Sequence, residues 1–308
     1  MFRYIVQRLI WMLTELLGIS IVTFILAFLV PADPARLYAG PHASVATLVN
    51  IRHQLGLDRP LIIQYLDYLW RLVHLDLGTS YEQHIPVLQA ILQRLPATAE
   101  LAFAGVFFEL IIGIPIGLLA AMRPNGVTDR LGMAVTLLGI STPSFVLGFL
   151  LIFVVWFKLG LFESGGYGDP LPLYIVLPGL ALGLSGAAYY ARLLRTTMQD
   201  ILRTEYVRVA RAKGIPANRV VLKHALPNAF NVLLTQLGLD IGFFLSGVIL
   251  IEVPFSWPGI GRQAFEAITS LDVPLIMGTV LFGAVCILLA NIVVDILYAF
   301  LDPRVRYG

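Results

Sequence analysis

Residues 131–157 read LGMAVTLLGISTPSFVLGFLLIFVVWF, with no charged side chain anywhere in the run. About 20 consecutive apolar residues suffice to carry a helix across the hydrocarbon core of a bilayer, so this stretch is a membrane span. Five more segments qualify to either side of it. They are 9–30, interrupted by Glu15; 101–122, with Glu109; 173–191, uncharged and rich in glycine; 229–251, with Asp240; and 275–301, with Asp295. The whole composition agrees: 58% of the 308 residues are hydrophobic and 13% charged, against about 25% charged in soluble proteins. The expectation is an all-α integral membrane protein with about six transmembrane helices. Arg3 and Arg8 precede the first span, as they would in a signal peptide. The apolar stretch is nevertheless long for a signal core, and Pro31-Ala32-Asp33-Pro34 follows it in place of a cleavage site, so it reads as a retained helix.

Charge distribution sets the expected orientation. Six spans put both termini on one side, together with the turn 123–130 and the loop 192–223. That side holds fourteen of the 21 basic residues and four acids, Asp129, Asp200, Glu205 and Asp302, while acids outnumber bases on the other. Basic loops stay in the cytoplasm, so both termini are expected there. The chain then divides into a cytoplasmic start and first helix (1–30), an external loop (31–96), a core of five spans (97–301) with a cytoplasmic loop at 192–226, and a cytoplasmic tail (302–308). The external loop is patterned rather than plain. Asp58-Arg59-Pro60 marks a helix start, and Leu61, Tyr65, Tyr68, Leu69 and Leu72 recur at helical spacing. Leu77-Gly78-Thr79-Ser80 breaks the helix, and Pro86 opens another that runs to about Leu95. The loop is expected to form a helical cap. In the cytoplasmic loop, 192–213 reads as one helix with a stripe of Leu194, Met198, Ile201, Leu202, Tyr206 and Val209, ended by Gly214 and Pro216. A second helical stretch is expected to stop at Pro227. A basic helix of this kind either lies on anionic lipid or meets a partner.

Chemistry is sparse. Cys286 is the one cysteine, so no disulfide within the chain and no cysteine metal site is possible. His42, His53, His74, His84 and His224 lie outside the spans and show no convincing ligand spacing. There is no phosphate-binding Gly-x-x-x-x-Gly-Lys, no His-Glu-x-x-His and no Gly-x-Ser-x-Gly, which argues against an intramembrane enzyme. A stand-alone secondary transporter is a further class, but it would usually carry internal repeats, and none is evident.

The segments Glu205-Tyr206-Val207-Arg208-Val209-Ala210-Arg211-Ala212-Lys213-Gly214 and His224-Ala225-Leu226-Pro227-Asn228-Ala229 resemble the cytoplasmic signature loop of ABC-importer permeases. The closest resemblance is to the dipeptide/oligopeptide/nickel permease family. The general importer pattern places Glu-Ala-Ala where Arg208, Val209 and Ala210 stand, and Ile where His224 stands; the wording here is that of the peptide subfamily. The resemblance continues through Pro31–Ala35, Leu55–Pro60, Asp76–Ser80, Arg94–Leu101, Pro258–Arg262, Asp272–Pro274, Asn291–Asp295 and Asp302–Arg304. The long loop after the first helix matches the first, or "B", type of permease subunit.

That resemblance implies a second, "C"-type permease, two cytoplasmic ATPase subunits that carry ATP and Mg, an external solute-binding protein, and no cofactor bound by this chain. No nucleic-acid partner is expected. The imported solute would be a di- or oligopeptide, with nickel chelate, haem or another small solute as alternatives. Glu205, Tyr206, Arg208, Ala210, Arg211, Ala212, Lys213 and Gly214 would form the coupling helix, with Ala210 and Ala212 keeping it slim and Gly214 permitting a sharp exit. Glu109, Asp240 and Asp295, acids within apolar spans, are candidates for the pathway or for helix interfaces. Ser141, Thr142 and Ser144 around Pro143 either line a path or repair backbone bonds. Pro115 and Pro178 could kink their spans. The pairs Gly113/Gly117, Gly179/Gly183 and Gly238/Gly242 have close-packing spacing. Trp257 and Arg262, in a tight turn after the fifth span, either dock the binding protein or belong to a packed turn.

Overall fold

A computed structural model describes residues 2–29, 33–40, 42–54 and 56–301. The expectations placed on 30–32, on Leu55 and on the 302–308 tail lie outside these residues. In chain order the helices are α1 (Phe2–Leu29), α2 (Pro34–Ala39), α3 (Val45–Gln54), α4 (Leu61–Val73), α5 (Val87–Met122), α6 (Val127–Ser141), α7 (Ser144–Leu151), α8 (Leu171–Leu202), α9 (Glu205–Ala212), α10 (Ala217–Arg219), α11 (Leu226–Leu245), α12 (Ile249–Glu252), α13 (Ile260–Ser270) and α14 (Val273–Leu301). A π-helical segment, Ile152–Lys158, extends α7, and another, Val220–Ala225, joins α10 to α11. Five of the resulting helical runs are long and apolar enough to cross a membrane.

The third expected span, 131–157, is broken. α6 and the α7 run meet at 102°, because Pro143 offers no N–H and pushes the residue before it out of helical geometry. Thr142 is extended, at φ −98° and ψ 122°. Its backbone N–H and its hydroxyl both donate to Leu138 O, at 3.1 and 2.8 Å. The hydroxyl thus doubles a bond that the backbone already makes, and leaves Gly139 O, the carbonyl four residues before Pro143, unrepaired by it. Ser141 is exposed and Ser144 half-buried.

Other proline boundaries move the opposite way. Pro96 does not separate two helices, since α5 runs unbroken through Pro96 and Pro115. Pro178 lies inside α8. Pro227 does not stop a helix; it sits in the first turn of α11, entered through the π segment. The wider π turn gives the proline ring room over the preceding carbonyls. The expected 192–213 helix is two pieces: the end of α8 and, after a break at Arg203-Thr204, the separate α9. The fifth span ends at Leu245 rather than at residue 251, and Gly247 turns the chain at φ +100°. The tight turn expected after it leads into α13, a helix with no counterpart in the sequence reading.

The chain forms two compact units. One comprises residues 1–98, 245–249 and 258–289. Its core contains Val87, Ala90, Ile91, Ile260, Ala267 and Leu275. In the same unit α4 lies on α1, with the Tyr65 and Ser20 hydroxyls 2.9 Å apart and Phe24 stacked on Tyr68. The other unit comprises, among the described residues, 99–244, 250–257 and 290–301. In it α5 and α8 approach closely at their glycines. A Cβ at Gly113 or Gly117 would come within 2.7 or 2.6 Å of the Ala187 or Ala191 carbonyl, and one at Gly183 within 2.7 Å of Gly105 O. The first two glycine pairs thus serve packing, as their spacing suggests. Gly238 faces Val294 in the same way.

Candidate functional site

The short helix α9 has two unlike faces. Val207 and Ala210 are buried and meet Val220, with Ile201, Leu202 and Ile215 packed around them. Tyr206, Arg208, Val209, Arg211, Ala212, Lys213 and Glu205 are exposed. This phase differs from the stripe read along 192–213. Leu194 and Met198 are fully buried, but the break at Arg203-Thr204 resets the helical phase. Val207 and Ala210 then turn inward where Tyr206 and Val209 were expected. Ala210 accordingly packs inside its own loop rather than thinning an outer face. The Glu205–Arg208 ion pair spans 2.8 Å with both side chains more than 70% exposed. Such a pair contributes about 0.5 kcal/mol or less, so it can rearrange freely. At the far end Gly214 adopts φ +76°, and nothing lies within 4 Å of where a Cβ would stand. Its requirement is the left-handed backbone, not space.

Two contacts tie this loop to the helices it interrupts. The Asn228 side chain, on the first turn of α11, donates to the Tyr206 hydroxyl at 3.0 Å and to His224 O at 2.9 Å. Closer to the spans, Arg195 of α8 grips Asp129 of α6 through both carboxylate oxygens, at 2.5 and 2.8 Å. Asn125 N–H adds a third bond to that carboxylate, at 2.8 Å. Neither Asp129 nor Arg195 stands out in the sequence, because the partners are 66 positions apart and no local pattern joins them.

The acids inside the spans receive different treatment. Asp240 accepts from the Tyr190 hydroxyl at 2.7 Å and from Gln236 at 2.8 Å, which links α11 to α8. Glu109 is 2% exposed, with one carboxylate oxygen, Oε2, buried without a hydrogen-bond partner among the described residues. Its side chain fills the gap that Gly186 leaves in α8, where a Cβ would overlap it. Asp295 is half-buried on α14. Tyr190 is the partner that the sequence reading missed; an aromatic in a glycine- and alanine-rich span was its only signal.

The turn after the fifth span is a packed one. Trp257 is fully buried and meets the Tyr167 ring edge-on at 5.1 Å, so it presents no external docking surface. Arg262 is half-buried and pairs with Glu266 at 2.8 Å along α13. Residues from several of the quoted motifs meet in space. Asp272, 1% exposed, accepts from the Ser80 hydroxyl and from Glu82 N–H. The Ile260 N–H donates to the Thr98 hydroxyl at 2.8 Å. Asp76 accepts from Gly78 N–H at 2.9 Å. Beside this cluster, burial and then the Asp272 charge push the Tyr81 phenol up to about 12.

Apolar helices of membrane-spanning length, interrupted by a short polar-faced helix on a packed base, define an integral membrane protein. The family model "Binding-protein-dependent transport system inner membrane component" matches residues 113–307, and "Binding-prot-dependent transport system membrane comp, N-term" matches residues 1–102. The chain belongs to this family of inner-membrane ABC permeases. It is 39% identical, over 100% of both chains, to the "Glutathione transport system permease protein GsiC" of Salmonella typhimurium strain LT2. The protein of that name from Escherichia coli O6:H1 strain CFT073 is 40% identical over the same coverage. Among solved structures, an inward-facing MetNI methionine ABC transporter gives a TM-score of 0.58 at 19% identity, over 70% of this chain and 97% of that one. An amino acid ABC transporter with histidines gives 0.52, over 70% and 94%. These two likenesses bear on the fold.

Proposed function

We propose that this chain is half of the translocation pathway of a peptide importer, with glutathione or a similarly short peptide as its solute, and that α9 is the element through which ATPase subunits drive it. The carrying observation is the division of α9 into a packed inner face and an exposed outer face. The inner face seats the helix on the end of α8 and on the π segment that leads into α11. The outer face offers Tyr206, Arg208, Arg211 and Lys213 to a partner, without first having to break a strong internal contact. Partners of the same family logic are a second permease, two ATPase subunits binding ATP and Mg, and an external binding protein that captures the solute. Charge asymmetry supports both termini and the 192–226 loop in the cytoplasm, with 31–96 as an external cap. For the solute, support comes from the full-length similarity to permeases named for glutathione transport. The Tyr190–Asp240–Gln236 cluster supports a helix-locking role for Asp240. Glu109, with a buried oxygen left unpartnered, stays the better candidate for a group that changes partner during transport.

The test is a reconstituted transporter carrying Arg211→Glu together with Lys213→Glu. The permease pair should still assemble in the membrane. Uptake of labelled glutathione, and ATP hydrolysis stimulated by the loaded binding protein, should both collapse. Wild-type stimulation and uptake in that variant would sink the coupling assignment. Wild-type protein that hydrolyses ATP with peptide-loaded binding protein but ignores glutathione would move the solute to another short peptide.

A further inference from the structure

Helix α4 carries more apolar surface than its seat on α1 uses. At about 100° per residue, its side chains fall into three arcs. Tyr65, Tyr68 and Leu72 share the arc that faces α1, where Tyr65 meets Ser20 and Tyr68 stacks on Phe24. Gln64, Asp67 and Arg71 share a polar arc, with Asp67 paired to Arg59 at 2.8 Å. The third arc holds Ile62, Leu66, Trp70 and Val73, with Ile63 at its edge. Trp70 is 69% and Ile62 75% exposed. A contiguous row of large apolar side chains is what a water-facing surface avoids.

The place of α4 along α1 says what covers the row. The apolar span of α1 runs Val6–Ala27. Tyr65 and Tyr68 touch it at Ser20 and Phe24, which at 1.5 Å per residue lie about 10 and 5 Å inside its end. Amphipathic helices that lie in a membrane surface bury their apolar face about 5–10 Å into the boundary between headgroups and acyl chains. The two depths coincide, and tryptophan is favoured at that level. We propose that α4 is an interfacial helix whose Ile62–Leu66–Trp70–Val73 row is immersed in lipid at the outer rim of the bilayer, tethering the cap to the membrane beside α1. Assignment to the outer leaflet rests on the orientation proposed above; immersion itself needs only that α1 crosses the bilayer.

The experiment uses the complete transporter in lipid nanodiscs. Cys286→Ala removes the one native thiol, and Ile62→Cys, Leu66→Cys, Trp70→Cys, Asp67→Cys and Arg71→Cys are nitroxide-labelled one at a time. Oxygen partitions into lipid and a nickel chelate stays in water. Immersion predicts an oxygen-to-nickel collision ratio several-fold higher at 62, 66 and 70 than at 67 and 71. Equal ratios on both arcs would put the row in water and overturn the proposal. Shielding of the row from both reagents would mean a protein partner covers it, and would overturn it as well. A cysteine-free check uses lipids brominated near the headgroup: the quenched part of the tryptophan emission should fall in Trp70→Phe, and unchanged quenching counts against immersion. A failed depth result with normal uptake removes the lipid assignment alone, while loss of uptake by unmodified protein bears only on the importer reading.

Discussion

Replacing Val207 with alanine should loosen α9 without touching the membrane helices. The Val207 side chain is fully buried against Val220 and Ala210. Truncation removes two methyl groups, each worth about 0.8 kcal/mol, and leaves a gap that so small a cluster fills only partly. The expected cost is about 1–2 kcal/mol of local stability. Where α9 opens as a local unit, that cost raises the population of the opened loop roughly 5–30-fold. Arg203, Arg208, Arg211 and Lys213 are all exposed, so trypsin cuts here once the helix opens. With reclosing faster than cleavage, the cutting rate follows the open population. Limited tryptic digestion of the purified permease pair, without ATPase, should therefore show cleavage at 203–213 accelerated by about that factor, while the rest of the chain keeps its wild-type pattern. Arg208→Gln, on the exposed face, should leave cleavage at the remaining sites unchanged. The reasoning fails if Val207→Ala is cut at the wild-type rate, or if Arg208→Gln accelerates cutting elsewhere in the loop as much as Val207→Ala does.

Three further outcomes follow from the same geometry. Arg195→Met should destabilise by about 3–5 kcal/mol, since it leaves the Asp129 charge buried. Asp129→Asn should cost less, because Arg195 at 22% exposure can turn to water where Asp129 at 3% cannot; the order of thermal midpoints of the two variants checks this. Gly186→Ala should weaken the α5–α8 contact by driving a methyl into the Glu109 side chain, and Glu109→Ala should restore stability in the double variant, as measured by a double-mutant cycle. The Arg52 side chain, bonded to Asp33 at 2.6 Å, holds the Asp33 carboxyl below the ordinary carboxylate range. Its contribution is complete above the unfolded pKa of about 3.9 and is lost as pH falls through the lower folded value. Amide-exchange protection of α2 and α3 should thus fall below about pH 4, and in Arg52→Gln protection should be lower above about pH 4 and its acid loss smaller.

Much of this protein is legible in its sequence, and for identifiable reasons. Apolar length, charge deficit and basic-loop asymmetry are sums over many residues, so they survive any local detail. The spans holding Asp240 and Asp295 could be located this way to within about two turns, and the one holding Glu109 at its C-terminal end only. The α9 segment was legible by its resemblance to a signature loop and by the Gly214 break after it, while the break before it at Arg203-Thr204 was not. What the sequence could not say is how helices end and which way their faces point. Pro96, Pro115 and Pro178 are carried inside helices and Pro143 breaks one, although the residue is the same. The face of α9 turned inward because of a two-residue break, and a helical phase shifts by about 100° with each residue gained or lost. Partners far apart in the chain, Arg195 with Asp129, Tyr190 with Asp240 and Ser80 with Asp272, exist only once the helices are packed. The sequence by itself determined that the chain spans a membrane and which loop resembles a coupling loop, because both follow from composition and short-range pattern. Tertiary structure alone decided that Trp257 is core, that Ala210 faces inward and that Asp240 is held by Tyr190, because burial and pairing are properties of packed surfaces rather than of residue types.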